Sequence, residues 1–253
     1  MSNVEEKLAK SLTAETTELI AYLPYLLQDL WELGSSPRDI EELILQHIRV
    51  SGKTKVLDLA CGKGPVSVHL AKVFGCTVKG IDIIPEFITY AKKKAEEYSV
   101  EKLCEFSVGD INQSVLSERD YDIVILGAVG DVLGNSSETV LKLKGTVKQG
   151  GYIFIDDAYS ADGSGGRYPS RDQWLQVFNK AGVKLVAEKV VDENELVDIN
   201  RSNQDCIIKR ANELKAIYPE KAEMFEGYIQ SQQAECDELE SEITGVTWLL
   251  QVI

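Results

Sequence analysis

Residues 56–72, VLDLACGKGPVSVHLAK, begin as a short apolar run, pass through two glycines separated by a lysine, and continue with apolar residues at helical spacing. A strand that enters a glycine turn and leaves it as a helix brings main chain close to a ligand, beside a helix N-terminus at the carboxyl end of a parallel sheet. Gly62 and Gly64 are expected to admit that approach, because a Cβ at either position would occupy the ligand's space. Pro65 suits the first helical turn, where its missing N–H is not needed. The turn alone does not establish a site, since many strand-to-helix turns bind nothing.

The rest of the chain supplies a sheet for this turn to belong to. From Lys53 onward, short β-branched runs alternate with amphipathic stretches: KVLDLA, CTVKGID, CEFSVGD, DIVILGA and GYIFIDDA read as strands, with helices expected over 85–98, 136–148 and 170–182. GVKLVAEKVV and the final GVTWLLQVI complete seven strands. Strands alternating with helices imply right-handed crossovers and a parallel sheet covered on both faces. Two helical additions flank this core. Residues 1–50 show helical periodicity with a break at Ser35-Ser36-Pro37, and 193–243 are helical with a break at Tyr218-Pro219. The expected organisation is an N-terminal helical lid (1–50), a core (51–192), a helical insertion (193–243) and a last core strand (244–253).

Composition narrows the partners. With 27 Lys and Arg against 41 Asp and Glu, the formal charge of −14 repels nucleic-acid phosphates and anionic lipid headgroups. No apolar run approaches the roughly 20 residues of a membrane span, and the N-terminus is too polar for a signal peptide, so a cytoplasmic protein is expected. The five cysteines form no C-x-x-C pair and there are only two histidines, which predicts no metal site and free buried thiols. It also leaves little histidine for catalysis.

Three acidic residues end successive strands: Asp58, Asp82 and Asp110. A carboxylate placed like Asp82 can accept both hydroxyls of a ribose. Each has a plainer role available, Asp58 bonding loop amides, Asp82 capping the next helix and Asp110 making a turn. Together they favour a nucleoside site. The dinucleotide fingerprint G-x-G-x-x-G is not met, because Ser67 stands where its third glycine would fall. The run VLDLACGKG, followed by GID at the end of the second strand and GD after the third, resembles the class I S-adenosylmethionine-dependent methyltransferases. The likeness extends over residues 53–253. It implies an α/β fold: a seven-stranded Rossmann-like sheet, mostly parallel with an antiparallel last strand, helices on both faces, and helical lid additions. Ala60 departs from the family's first glycine.

That resemblance implies S-adenosyl-L-methionine as cofactor, with Ala60, Cys61, Gly62 and Gly64 beside its methionyl part and Asp58 on its ammonium. Asp82 would hold the ribose, Ile83 would pack on the adenine, and Asp110 with Ile111 would meet the adenine edge and ring. Gly127 and Ala128 would border the methyl donor. Lys63 is expected to be solvated. Methyl transfer from a sulfonium is an in-line displacement with a neutral leaving group, so holding the reactants collinear and dry matters more than a strong base.

A small-molecule acceptor is expected, held by the additions through Tyr22, Tyr25 and Trp31 and by Arg167 after the loop ADGSGG. Those aromatics have the plainer alternative of docking their helix. Asp131 and Tyr159, after the fourth and fifth strands, are the expected acceptor contacts in catalysis. The chain is read as a monomer or homodimer. The alternative function is a non-catalytic S-adenosylmethionine-binding partner or sensor, and a dinucleotide oxidoreductase is a third reading.

Overall fold

A computed structural model describes residues 2–161, 163 and 168–253 of the chain. Its strands are β1 Lys55–Leu59, β2 Thr77–Asp82, β3 Cys104–Val108, β4 Tyr121–Leu126, β5 Val147–Ser160, β6 Val183–Val190 and β7 Ile243–Val252. They form one sheet in the order β3-β2-β1-β4-β5-β7-β6. The pairs from β3 to β5 are parallel, whereas β7 runs antiparallel to both β5 and β6. The chain therefore winds outward from β1 through β2 to β3, then returns to place β4 on the other side of β1. That reversal opens a crevice beyond the carboxyl ends of β1 and β4.

The helices are α1 Ser2–Ser11, α2 Leu23–Leu26, α3 Pro37–His47, α4 Pro65–Phe74, α5 Pro85–Glu97, α6 Ile111–Ser117, α7 Ser136–Lys144, α8 Arg171–Ala181, α9 Glu193–Ile217 and α10 Ala222–Ser241. Proline opens α3, α4 and α5, and capping boxes start α7 at Asn135 and α8 at Ser170. Strand pleating distributes apolar residues to two layers. Leu57, Leu59, Val124 and Leu126 pack with α6, α7 and α8. Val56, Ile123 and Ile125 pack with α3, α4 and α5 on the opposite face. The helix expected over 136–148 stops at Lys144, because Val147 already pairs with Tyr121 as the first residue of β5.

The two additions share a third core. Leu19, Leu23, Leu26 and Leu27 from the N-terminal segment meet Ile207, Ala211 and Leu214 of α9, Phe225 and Tyr228 of α10, and Phe87 of α5. Among the described residues no helix is long and apolar enough to cross a membrane.

Gly64 corrects an expectation about the turn. It adopts φ 75° as the cap of α4, and a Cβ there would fall 2.9 Å from both Ala91 Cβ and Phe106 Cζ. Helix α5 and strand β3, not a ligand, require its bare backbone, and it is absent from the cleft wall described below. Gly64→Ala combines a left-handed backbone with overpacking, so it should lower folding stability by roughly 2–4 kcal/mol. A shift in the urea midpoint at unchanged slope measures this.

Candidate active site

The crevice at the strand reversal is a cleft with a cavity volume of about 110 Å³. Every strand end around it contributes: Asp58 from β1, Asp82 with Ile83 from β2, Asp110 with Ile111 beyond β3, and Gly127 with Ala128 beyond β4. Ala60, Cys61 and Gly62 supply its floor. Ala60 and Gly62 have φ of 55° and 53°, so the turn is left-handed at both. Glycine adopts that conformation freely, whereas alanine is strained in it.

Asp82 organises the turn. One carboxylate oxygen accepts the Gly62 N–H at 2.9 Å and the other the Ile84 N–H at 2.9 Å. It therefore ties the glycine turn to the residue that leads into α5 and also lines the cleft, and each oxygen retains a further lone pair. Burial pushes its pKa up, opposed by these amide bonds. Asp58 is 3% exposed and accepts the Ser67 hydroxyl at 2.5 Å. Burial drives its pKa to about 7, with the nearby Asp82 and Asp156 charges adding to the rise and the Ser67 bond opposing it. Asp110 caps α6, one oxygen accepting the Asn112 N–H at 2.8 Å. Apolar Ile83 and Ile111 line the same cleft. Burial also raises the Cys61 thiol well above its ordinary range, which leaves it a neutral wall residue.

Two segments of the N-terminal addition cover the cleft. Trp31, Leu33, Gly34 and Ser35 form a strap along one side. Its fit is close: a Cβ on Gly34 would fall 2.9 Å from Ala128 Cβ, and a Cβ on Gly127 would fall 2.8 Å from Ser35 Oγ. Helix α1 adds Val4, Lys7, Leu8 and Ser11. Lys7 Nζ donates to the Val132 carbonyl at 3.0 Å, and Lys10 pairs with Asp131 at 2.8 Å, across the turn that follows β4. Trp31 was expected at the site, whereas Leu33, Gly34, Ser35 and the individual α1 residues were not. SSPR reads as a helix start, which Ser36 and Pro37 are, while the closeness of Gly34 and Ser35 depends on strands far along the chain.

Several expected contacts lie elsewhere. Tyr22 packs edge-on against Phe225 and Tyr218, with centroids at 5.1 and 5.6 Å, and the exposed Tyr25 donates to Glu213 at 2.7 Å. Both dock the N-terminal segment on the α9–α10 pair, and neither walls the cleft. Trp31 does, with its indole N–H donating to the Lys63 carbonyl at 3.1 Å. Asp131 turns outward to Lys10, while its neighbours Val129 and Val132 face the cleft. Tyr159 lies on the pleat face of Ile153 and Ile155 and packs beside Trp248 at 6.0 Å, away from the cleft. The structure thus gives no support to Asp131 and Tyr159 as acceptor contacts. Arg167, like most of the glycine loop, lies outside the described residues. Lys63, expected in solvent, is buried at 2% exposure.

The profile of a family described as a methyltransferase domain matches residues 51–239. The chain belongs to this methyltransferase family. Its sequence is similar to a ribosomal protein L11 methyltransferase of Dictyoglomus turgidum, 30% identical over 150 residues that cover 59% of this chain and 44% of that protein. It is also similar to norajmaline N-methyltransferase of Rauvolfia serpentina, 34% identical over 70 residues covering 28% and 24% of the two chains. The match thus spans less than half the length of these curated relatives. In fold, it resembles the S-adenosyl-L-homocysteine complex of a methyltransferase from Geobacter sulfurreducens, with TM-score 0.76 and 18% identity, covering 91% of this chain and 97% of that one. A methyltransferase from Thiobacillus denitrificans, also solved with S-adenosyl-L-homocysteine, gives TM-score 0.75 and 19% identity over 92% and 98%.

The raised pKa of Asp58 couples stability to pH. Its folded pKa of about 7 lies above the ordinary carboxylate value, so folding takes up a proton between those limits. That contribution is full at acid pH and fades as pH rises through about 7. Asp58→Asn mimics the protonated form and should gain stability relative to the unsubstituted chain as pH rises from about 5 to about 8. Paired melting curves across that range measure the difference.

Proposed function

We propose that the chain is an S-adenosylmethionine-dependent methyltransferase acting on a small-molecule acceptor. The observation that carries this reading is one cleft that joins the bare turn at 60–62 to carboxylates from three strand ends, Asp58, Asp82 and Asp110. The donor set suits an adenosyl amino acid bearing two positive centres. Asp82 has lone pairs left for ribose hydroxyls after capping two amides. Ile83 and Ile111 offer apolar surfaces for an adenine ring, whose edge Asp110 would meet. Asp58 would face the ammonium, and a cation there would offset the burial that lifts its pKa.

When bound, the cofactor supplies an electrophilic methyl group on sulfur. The chain's own task is then to hold an acceptor in line and keep water out. Gly127 and Ala128 border that end of the cleft, with Val129, Val132, Leu8 and Val4 forming a largely apolar chamber roofed by α1. A largely apolar chamber beneath α1 supports a small acceptor over a folded protein, even though one similar protein carries the name of a ribosomal-protein methyltransferase. Among the described residues no histidine walls the cleft, which fits an acceptor that is already nucleophilic, such as an amine or a thiol.

Titration calorimetry with S-adenosylmethionine, S-adenosylhomocysteine and NAD tests the cofactor assignment: the two adenosyl compounds should bind and NAD should not. Asp82→Ala should weaken adenosyl binding by roughly 1–3 kcal/mol, the scale of lost charged hydrogen bonds. Unchanged affinity would remove the ribose assignment. Transfer of labelled methyl to a panel of amines, thiols, phenols and quinols then tests the acceptor class. Labelling of protein alone would overturn it.

A further inference from the structure

Lys63 stands between the two glycines of the turn, and the proposed reaction makes no use of its side chain. Its ammonium donates to the carbonyl oxygens of Leu27 and Leu30. It also lies over the rings of Phe87 and Tyr90, 5.6 and 5.1 Å from their centroids. Its own carbonyl accepts the Trp31 indole N–H at 3.1 Å. A single residue of the cofactor turn therefore fastens residues 27–31 through both its side chain and its main chain.

The residues that follow are those in closest contact with the cleft. Leu33 Cδ1 lies 3.5 Å from where a Cβ on Gly62 would stand, Gly34 abuts Ala128, and Ser35 Oγ fills the space beside Gly127. The outer side of the same segment is tied down as well. Asp29 receives the Arg210 guanidinium of α9 through both carboxylate oxygens, at 2.7 and 2.8 Å.

Burying an ammonium is costly unless its protons are satisfied, and the one carboxylate that acts on this one, Asp29, does so through its charge at longer range and not as a contact ion pair. A methionine of similar length would fill the space without that cost. The value of a lysine here is directional, because both carbonyl bonds are made only when residues 27–30 sit in one place over the turn.

We propose that Lys63 is a positioning residue for the cofactor: by holding the carbonyls of Leu27 and Leu30 it sets the strap 31–35 against Gly62, Gly127 and Ala128. The tightness of cofactor binding then depends on a side chain whose charge is directed at the strap. The inference rests on the adenosyl-cofactor reading of the cleft. By linkage, the cofactor in turn steadies the strap.

The test compares the full chain with Lys63→Met and Lys63→Arg by hydrogen exchange of the free and ligand-saturated proteins and by calorimetry with S-adenosylhomocysteine. K63M should speed amide exchange in 27–35 while leaving strands 55–59 and 121–126 unchanged, and should raise the dissociation constant about tenfold or more. Saturating S-adenosylhomocysteine should restore protection in 27–35, and K63R, which keeps a cation and its donors, should recover most of the affinity. A merely structural lysine would slow or speed exchange throughout the sheet and would not be rescued in this segment. Wild-type exchange in K63M, or faster exchange with unchanged affinity, would overturn the inference. Failure of the unsubstituted chain to bind S-adenosylhomocysteine would instead sink the cofactor reading and this inference with it. If K63M does not fold, Lys63→Gln, a neutral donor, is read against the same outcomes.

Discussion

The carboxylate of Asp82 accepts one N–H from the turn after β1 and another from the start of α5. Much else at the carboxyl edge of the sheet depends on that bridge. It satisfies amides that a left-handed turn and a helix N-terminus would otherwise leave orphaned, and buried orphans are expensive. It also fixes the ends of β1 and β2 relative to each other, so Ala60, Cys61 and Gly62 present main chain to a defined space. Asp82 has capacity left after this structural duty. Under the proposed reading one carboxylate would both bridge these amides and bind, and the two roles do not compete.

Around that bridge, close contact is achieved by removing side chains and not by adding them. Gly62 and Gly127 are bare where the strap presses on them, and Gly34 is bare where it meets Ala128. Gly64 and Gly80 serve a different surface: a Cβ on either would strike Phe106. One turn therefore uses its two glycines for two purposes, the first facing the cleft and the second letting α4 and α5 settle against β3.

The sheet was legible in the sequence because its information is local. Alternation of apolar residues marks each strand, and Val56 and Leu57 go to opposite layers as pleating requires. The three acidic strand ends were legible for the same reason, since a residue's place at the end of a parallel strand fixes its place in the crevice. Direction was not legible in loops. Asp131 and Tyr159 end up at the expected edge, yet an ion pair with Lys10 draws the first outward and the pleat turns the second toward Trp248. Lys63 was misread because a lysine between glycines ordinarily reaches water. Its burial follows from carbonyls more than thirty positions upstream, which no local pattern displays. Tyr22 and Tyr25 were placed on the right element and the wrong side of it, for α9 and α10 claim that face.

The third core joins the beginning of the chain to its final third. Thr13 bonds Glu235, Glu15 accepts the Ser231 hydroxyl at 2.9 Å, and Leu19 to Leu27 pack on α9 and α10. Contacts of such long sequence separation form late, because the entropy of closing the intervening loop must be met first. Strand β7, which follows α10 and lies between β5 and β6, shares that delay, so the roof of the cleft and the far side of the sheet are completed together.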